Sequence, residues 1–339
     1  MKILIDIKHP AQLNLFKHLA TALKEIGWEV LICYLQRGKL PKIIEKEYPG
    51  FECIPVGASR GSKWSILWEG NIARVGTFLS LIRKHRPCIC VAASSAPLAL
   101  ACRLTGTPVI QFYDDPERKR INAVNARLSN RIFFPPIVEE TSKVGIFNCL
   151  KEWSYLSPAR FKPDPSVLGE YGLRPHSYIF VREVSNQSFN YYDQKADIVG
   201  SFAGQITPDM PVLLSLEEKA KSHLYPKAWM QLKEPVSDIH SLMYYARLVV
   251  SSGDSMAREG AMLGVRSIYC GVRSMRANEF LMPRGLLEHH PGEQALAPIN
   301  TYIASPFDAD GQGKVRQAMN KEWDDMLEFM LEQIEAFKK

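Results

Sequence analysis

Residues 238–268, DIHSLMYYARLVVSSGDSMAREGAMLGVRSI, constrain the fold of this chain more than any other stretch. Leu248, Val249 and Val250 form a short apolar run rich in β-branched residues, the pattern of a strand buried on both faces. Ser251, Ser252 and Gly253 end it, and Asp254 or Ser255 can cap a following helix. Met256, Ala261, Met262 and Leu263 supply that helix with packing positions. A strand that ends in small residues and feeds a helix N-terminus presents backbone N–H groups and a positive dipole end, which suits an anion such as phosphate. Ser252, Gly253, Asp254, Ser255 and Met256 are therefore candidate phosphate-turn residues. Glu259 follows about one and a half turns into the helix. It reads either as a ligand for a ribose diol beyond the phosphates or as a solvated or salt-bridged helix residue.

The rest of the chain repeats the theme. Strands are expected at 2–7, 29–34, 51–55, 88–92, 109–113 and 131–134, with helices at 11–26, 40–48, 66–85, 97–104 and 123–129 between them. Such alternation implies a parallel, doubly wound sheet. Residues 153–175 carry four prolines and few apolar repeats, as a linker would. A second series follows at 178–183, 211–215, 248–250 and 267–270. The stretch 320–339 reads as one helix, with Trp323, Met326, Leu327, Met330, Ile334 and Phe337 on a stripe. The expected class is α/β, with two doubly wound parallel-sheet domains at 1–152 and 176–319. The helix 320–339 is expected to pack back on the first.

Length permits two cores, since 339 residues exceed what one domain usually needs. No run of about 18 apolar residues suggests a membrane span. The opening MKILIDIKHP reads as a strand with Asp6 inside it rather than a signal peptide. Seven scattered cysteines without paired metal-ligand spacing read as buried free thiols in a reducing cytoplasm. Neither a metal nor a cofactor is expected. Charge is uneven: residues 1–150 hold 21 Lys and Arg against 12 Asp and Glu, and residues 151–339 hold 21 against 24. A basic N-terminal half suits an anionic partner, although no nucleic-acid-binding motif is present.

Four further stretches carry a family resemblance: the opening IDIKHPAQLNLFKHL, the run KEWSYLSPARFKPDPSVLGEYGL, the strand YIFVREVSN and the acidic turn FYDDPE. Together with GDSMAREGAMLG they resemble domain-of-unknown-function family 354, over most of residues 1–285. That group is allied by fold with GT-B glycosyltransferases and hydrolysing UDP-GlcNAc 2-epimerases. The resemblance implies a GT-B architecture with an interdomain cleft. It also implies a small-residue turn that receives a UDP pyrophosphate, with Glu259 on the ribose. Arg182 matches the family's arginine and would pair with the diphosphate, with Ser185 donating beside it. The alternative for Arg182 is a surface salt bridge with Glu183. The turn here is poorer in glycine than usual, and Asp254 is a departure.

In the first domain His9 ends the first strand, where open α/β sheets place ligand loops. It reads as a general base or as a helix cap. Lys8 stands where the family has glycine, and Gln12 and Asn14 where histidines are common. Lys8, Gln12 and Asn14 are acceptor-side candidates, and Lys8 and Lys17 can hold an anionic acceptor. Asp114 and Glu117 are the candidate bases for an acceptor hydroxyl, while Asp115 reads as a helix cap. The basic and aromatic loop 57–68 reads as a peripheral membrane contact or as a buried helix face.

The expectation is a cytoplasmic enzyme, working at the inner face of the membrane if its acceptor is lipid-linked. It would move a sugar from a UDP-sugar to a glycan or lipid-linked acceptor for cell-surface polysaccharide, with domain closure on the ligand. The alternatives are a UDP-GlcNAc 2-epimerase-like enzyme and a non-catalytic nucleotide-sugar binder. The epimerases carry an aspartate after the strand matching 88–92, where this chain has Ser94 and Ser95.

Overall fold

A computed structural model describes residues 1–58, 72–185, 194–206, 209–233, 236 and 238–337. The chain forms two compact units. One is Met1–Ser157 with Trp323–Lys339, and the other is Pro158–Glu322.

The first unit is built on seven parallel strands: β1 (Lys2–Ile7), β2 (Glu29–Gln36), β3 (Glu52–Ala58), β4 (Ile89–Ala92), β5 (Val109–Phe112), β6 (Arg131–Phe134) and β7 (Val144–Ile146). Their spatial order is β3-β2-β1-β4-β5-β6-β7. The order reverses direction between β1 and β4, so right-handed crossovers place helices on both faces. Helix Pro10–Glu25 follows β1. Its Leu13, Phe16, Leu19 and Leu23 are all buried, at the three- and four-residue spacing that makes one helix face. Helices Ala73–His85, Ala96–Thr105 and Lys119–Leu128 form a consecutive packed layer. Phe78, Leu81, Ile82, Leu98 and Cys102 from the first two share a core with Leu4, Cys90 and Val109 of the sheet. Of the helix expected at 66–85, residues 66–71 lie outside the described residues, as does the loop 57–68 apart from Gly57 and Ala58.

The second unit has six parallel strands: β8 (Ile179–Glu183), β9 (Val212–Leu216), β10 (Met230–Gln231), β11 (Leu248–Ser251), β12 (Ser267–Tyr269) and β13 (Leu287–His289). Their order is β10-β9-β8-β11-β12-β13. All four residues of β11 are buried, as its apolar run implies for a central strand covered on both faces. Helix Asp254–Met262 then packs close against this sheet. A Cβ at Gly260 would lie 2.4 Å from Ser267 Oγ and 3.1 Å from Val249 Cβ. Glycine is what allows that approach.

Two expectations need correcting. The proline-rich stretch 153–175 is not irregular throughout: Trp153–Leu156 is a short helix and Pro165–Tyr171 a 3-10 helix. Likewise 320–339 is not one helix. Helix Ala309–Glu322 ends, and a new one spans Met326–Glu335. The restart is set by Asp325, whose carboxylate accepts from Leu327 N at 2.9 Å and Glu328 N at 3.3 Å. Asp324 turns aside to accept from Asn148 N at 2.9 Å. The apolar stripe persists through the break, and Trp323 meets Trp153 edge-on at 5.0 Å while Phe329 meets Phe133 at 5.4 Å.

Candidate functional site

In the second unit, register brings the polar strand ends together. Ser251 of β11 is paired with Arg182 of β8 on one side and Tyr269 of β12 on the other. The turn beyond β11 is self-supporting. Gly253 N donates to Ser251 Oγ at 3.0 Å, Ser251 Oγ donates to Gly253 O at 2.7 Å, and Val184 N donates to Ser252 Oγ at 3.0 Å. Gly253 occupies the N-cap of helix Asp254–Met262 and brings no capping side chain. A helix start of this kind leaves its N–H groups to the surroundings and favours an anion.

Asp254 does not present a bare charge there. Arg258 Nη1 lies 3.4 Å and Arg273 Nη1 3.8 Å from its carboxylate. Arg258 is fully buried, and also donates to Asn278 Oδ1 at 3.0 Å and to Ser255 Oγ at 3.4 Å. Glu259 is not a solvated residue. It is 6% exposed, with His240 Nε2 3.6 Å from its carboxylate.

Arg182 donates to Ser215 Oγ at 2.8 Å and Glu217 Oε1 at 2.5 Å. The other oxygen of Glu217 accepts from Ser185 N at 2.9 Å, and Ser185 Oγ donates to Glu218. The salt bridge considered between Arg182 and Glu183 is absent among these contacts, because successive strand residues point to opposite faces. Glu183 is instead buried, accepting from Val199 N at 2.7 Å, Gly200 N at 3.2 Å and Tyr225 OH at 2.9 Å. Beside Arg182 lies a small cavity of about 80 Å³. Leu214, Leu216, Leu232, Val236 and Ile239 give it an apolar wall, and Ser215, Lys219 and Gln231 a polar one. Sequence reasoning missed this cavity and His240. For His240 the available signal was a titratable side chain in the short helical stretch ahead of β11.

Burial raises the Glu183 carboxyl above its ordinary value of 4.5, with its hydrogen bonds opposing the shift. Between 4.5 and the higher native value the folded form holds the extra proton, so stability is present at low pH and declines as pH rises through the native value. Glu183→Gln keeps an acceptor oxygen without the buried charge. Its stability relative to the parent is expected to grow with pH above about 4.5. Thermal melts of both proteins across a pH series check this; parallel curves would refute it.

In the first unit the loop after β1 is tied to the loop after β4. Lys8 N donates to Gln12 Oε1 at 2.7 Å, Gln12 Nε2 donates to Ala93 O at 2.8 Å, and Lys8 Nζ donates to Ser94 O. Ser94 sits in the left-handed region at φ 59, where a side chain other than glycine's is strained. Burial, with Arg74 second, lowers the Lys8 ammonium to about 8, while Asp6 partly offsets this. His9 acts as the N-cap of helix Pro10–Glu25, accepting from Ala11 N at 3.3 Å. Asn14 is half-buried on that helix. Lys17 pairs with Glu47 at 2.5 Å.

The acidic turn after β5 is also engaged. Asp114 pairs with Lys151, and Asp115 with Arg118 at 3.0 Å. Glu117 is exposed. Asp115 does not cap a helix as expected; helix Lys119–Leu128 starts four residues later, after Arg118, with no side-chain cap. Beneath these loops, Asp6 and Arg74 form a fully buried ion pair.

Two doubly wound parallel-sheet units of seven and six strands define a protein of GT-B architecture. The chain belongs to the family described as protein of unknown function (DUF354), whose model matches residues 1–339. An uncharacterized protein of Methanocaldococcus jannaschii is 20% identical over 284 residues, covering 80% of this chain and 82% of its own. The glycosyltransferase VinC, solved with dTDP, is similar in structure at a TM-score of 0.67 and 13% identity over the whole of both chains. The UDP-N-acetylglucosamine 2-epimerase of Rickettsia bellii is similar at 0.73 and 12%, covering 99% of this chain and 96% of that one. At these identities the likeness is one of fold. No helix among the described residues is long and apolar enough to cross a membrane.

Proposed function

We propose that this protein is a glycosyltransferase that takes its sugar from a UDP-sugar and passes it to a glycan or lipid-linked acceptor. The observation that carries the reading is the flush end of β8 and β11. It sets Arg182 level with Ser251, two residues ahead of a helix N-cap that brings no capping side chain. A diphosphate there would meet a guanidinium and a helix dipole together. The cavity beside Arg182 would take the edge of a flat heterocycle, and Glu259 with His240 would face a ribose. The diphosphate is the leaving group of the transfer, and Arg182 and the helix N-terminus would stabilise its charge as the bond to the anomeric carbon breaks. In the first unit, Lys8 would hold an anionic acceptor, and His9, Asp114 or Glu117 would take the acceptor proton.

Calorimetry with UDP and UDP-sugars tests the donor site. Binding is expected, and Arg182→Ala should weaken it by about tenfold to a hundredfold, the worth of a charged hydrogen bond. No binding at millimolar UDP, or unchanged affinity in both Arg182→Ala and Glu259→Ala, would sink the proposal.

A second reading, a nucleotide-sugar binder without turnover, is favoured by the engagement of the candidate bases: His9 caps its helix and Asp114 is paired with Lys151. Consumption of UDP-sugar separates the two. Turnover abolished in Asp114→Asn supports the enzyme, and UDP binding without turnover supports the binder. An epimerase is favoured by no observation at the turn after β4, where Ser94 and Ser95 stand without a carboxylate of their own.

A further inference from the structure

Nine large hydrophobic side chains are exposed among the described residues, and four of them lie on two adjacent helices of the first unit. Leu100 and Leu104 are 37% and 63% exposed on helix Ala96–Thr105, and Ile121 and Val124 are 40% and 45% exposed on helix Lys119–Leu128. The spacings of four and three residues put each pair on one side of its helix. The two helices pack side by side, and Ala73–His85 packs against the first of them.

The charge of this layer has one sign. Residues 70–113 contain no Asp or Glu, and neither do residues 118–138. Arg103, Lys119, Arg120 and Arg127 stand exposed among the four apolar side chains, with Arg83 and Lys84 on the neighbouring helix. In sequence, Asp114, Asp115 and Glu117 precede the third helix; Asp114 is paired with Lys151 and Asp115 with Arg118.

We propose that this helical layer is a docking surface for an anionic phospholipid bilayer. Exposed aliphatic side chains flanked by arginine and lysine match the boundary between acyl chains and acidic headgroups. Nucleic acid would use the basic residues but gives nothing to four exposed aliphatic side chains. A second copy of the chain, seated face to face, would oppose arginine with arginine. None of these residues belongs to the turn proposed for the nucleotide, so the inference stands whether or not UDP binds.

Co-sedimentation of the full chain with vesicles provides the test, using phosphatidylcholine alone and phosphatidylcholine with about 30 mol% phosphatidylserine at about 0.1 M salt. Binding is expected to the anionic vesicles only. The double variant Leu104→Glu, Val124→Glu should lower the bound fraction about tenfold or more, and Arg120→Glu and Arg127→Glu about fivefold each. All four positions are exposed, so melting temperatures should match the parent's. Ile26→Glu, an equally exposed position outside this layer, should bind as the parent does. The proposal is overturned by absence of binding to anionic vesicles, by equal binding to neutral ones, or by a Leu104→Glu, Val124→Glu variant that binds normally. It is also overturned if the chain binds a single-stranded oligonucleotide and ignores vesicles, or forms a dimer that these substitutions disperse.

Discussion

Arg258→Met is expected to destabilise the protein by about 3 to 5 kcal/mol, the cost of stranding the partner of a buried ion pair. The guanidinium is fully buried between Asp254, Asn278 and Ser255, which belong to one turn and to a helix twenty residues on. Methionine fills much of the volume but satisfies none of these groups. Arg273, 3.8 Å from Asp254, is partly exposed and offsets only part of the loss. Calorimetric melting of the full chain should show one transition falling by about 10 °C. Adding Asp254→Asn should recover part of the loss, because the stranded charge is then gone. The same variant bears on binding. Without Arg258 the Asp254 carboxylate faces any diphosphate at the helix start, so UDP affinity should fall further than stability alone explains. A variant that melts like the parent would show that Arg258 is no keystone of the turn.

The second large effect is expected at Asp6→Ala, again about 3 to 5 kcal/mol. Asp6 accepts from Arg74 and, at 2.6 Å, from Ser95 Oγ; both ionic side chains are wholly buried. Arg74 also donates to Val56 O at 2.9 Å and lies over the Phe78 ring at 5.1 Å. Removing the carboxylate leaves a charged guanidinium without its Asp6 counter-ion inside the first unit. The double variant Asp6→Ala, Arg74→Met should be more stable than Asp6→Ala alone, and the cycle gives the coupling directly. Urea unfolding of the four proteins checks it. Additive losses would mean that the two groups do not interact.

These two networks mark where sequence reading stops. The strand, turn and helix at 248–262 were legible because each rests on local chemistry: a β-branched run, small residues, then helical spacing. Asp6 was visible as an odd charge inside a strand, but its partner is 68 residues away. No local pattern names such a partner. The same holds for Asp114 with Lys151 and for Glu259 with His240. The salt bridge weighed between Arg182 and Glu183 fails for a different reason. Strand alternation alone separates the two side chains, and that rule was available from the sequence. The break at 323–325 was hidden because the apolar spacing runs straight through it, although Asp324-Asp325 ahead of a hydrophobic run was a readable cap.

The first unit draws its strands from residues 2–146 but is completed by a segment beginning at Trp323. On the ribosome this imposes a delay. At ordinary elongation rates the intervening segment takes on the order of 10 to 30 s to make. During that interval Phe133 and Phe147 await the Phe329 ring that covers them, and Trp153 awaits Trp323. The unit synthesised second can therefore close first, and the nascent N-terminal half must be kept from aggregating until the chain comes back to it.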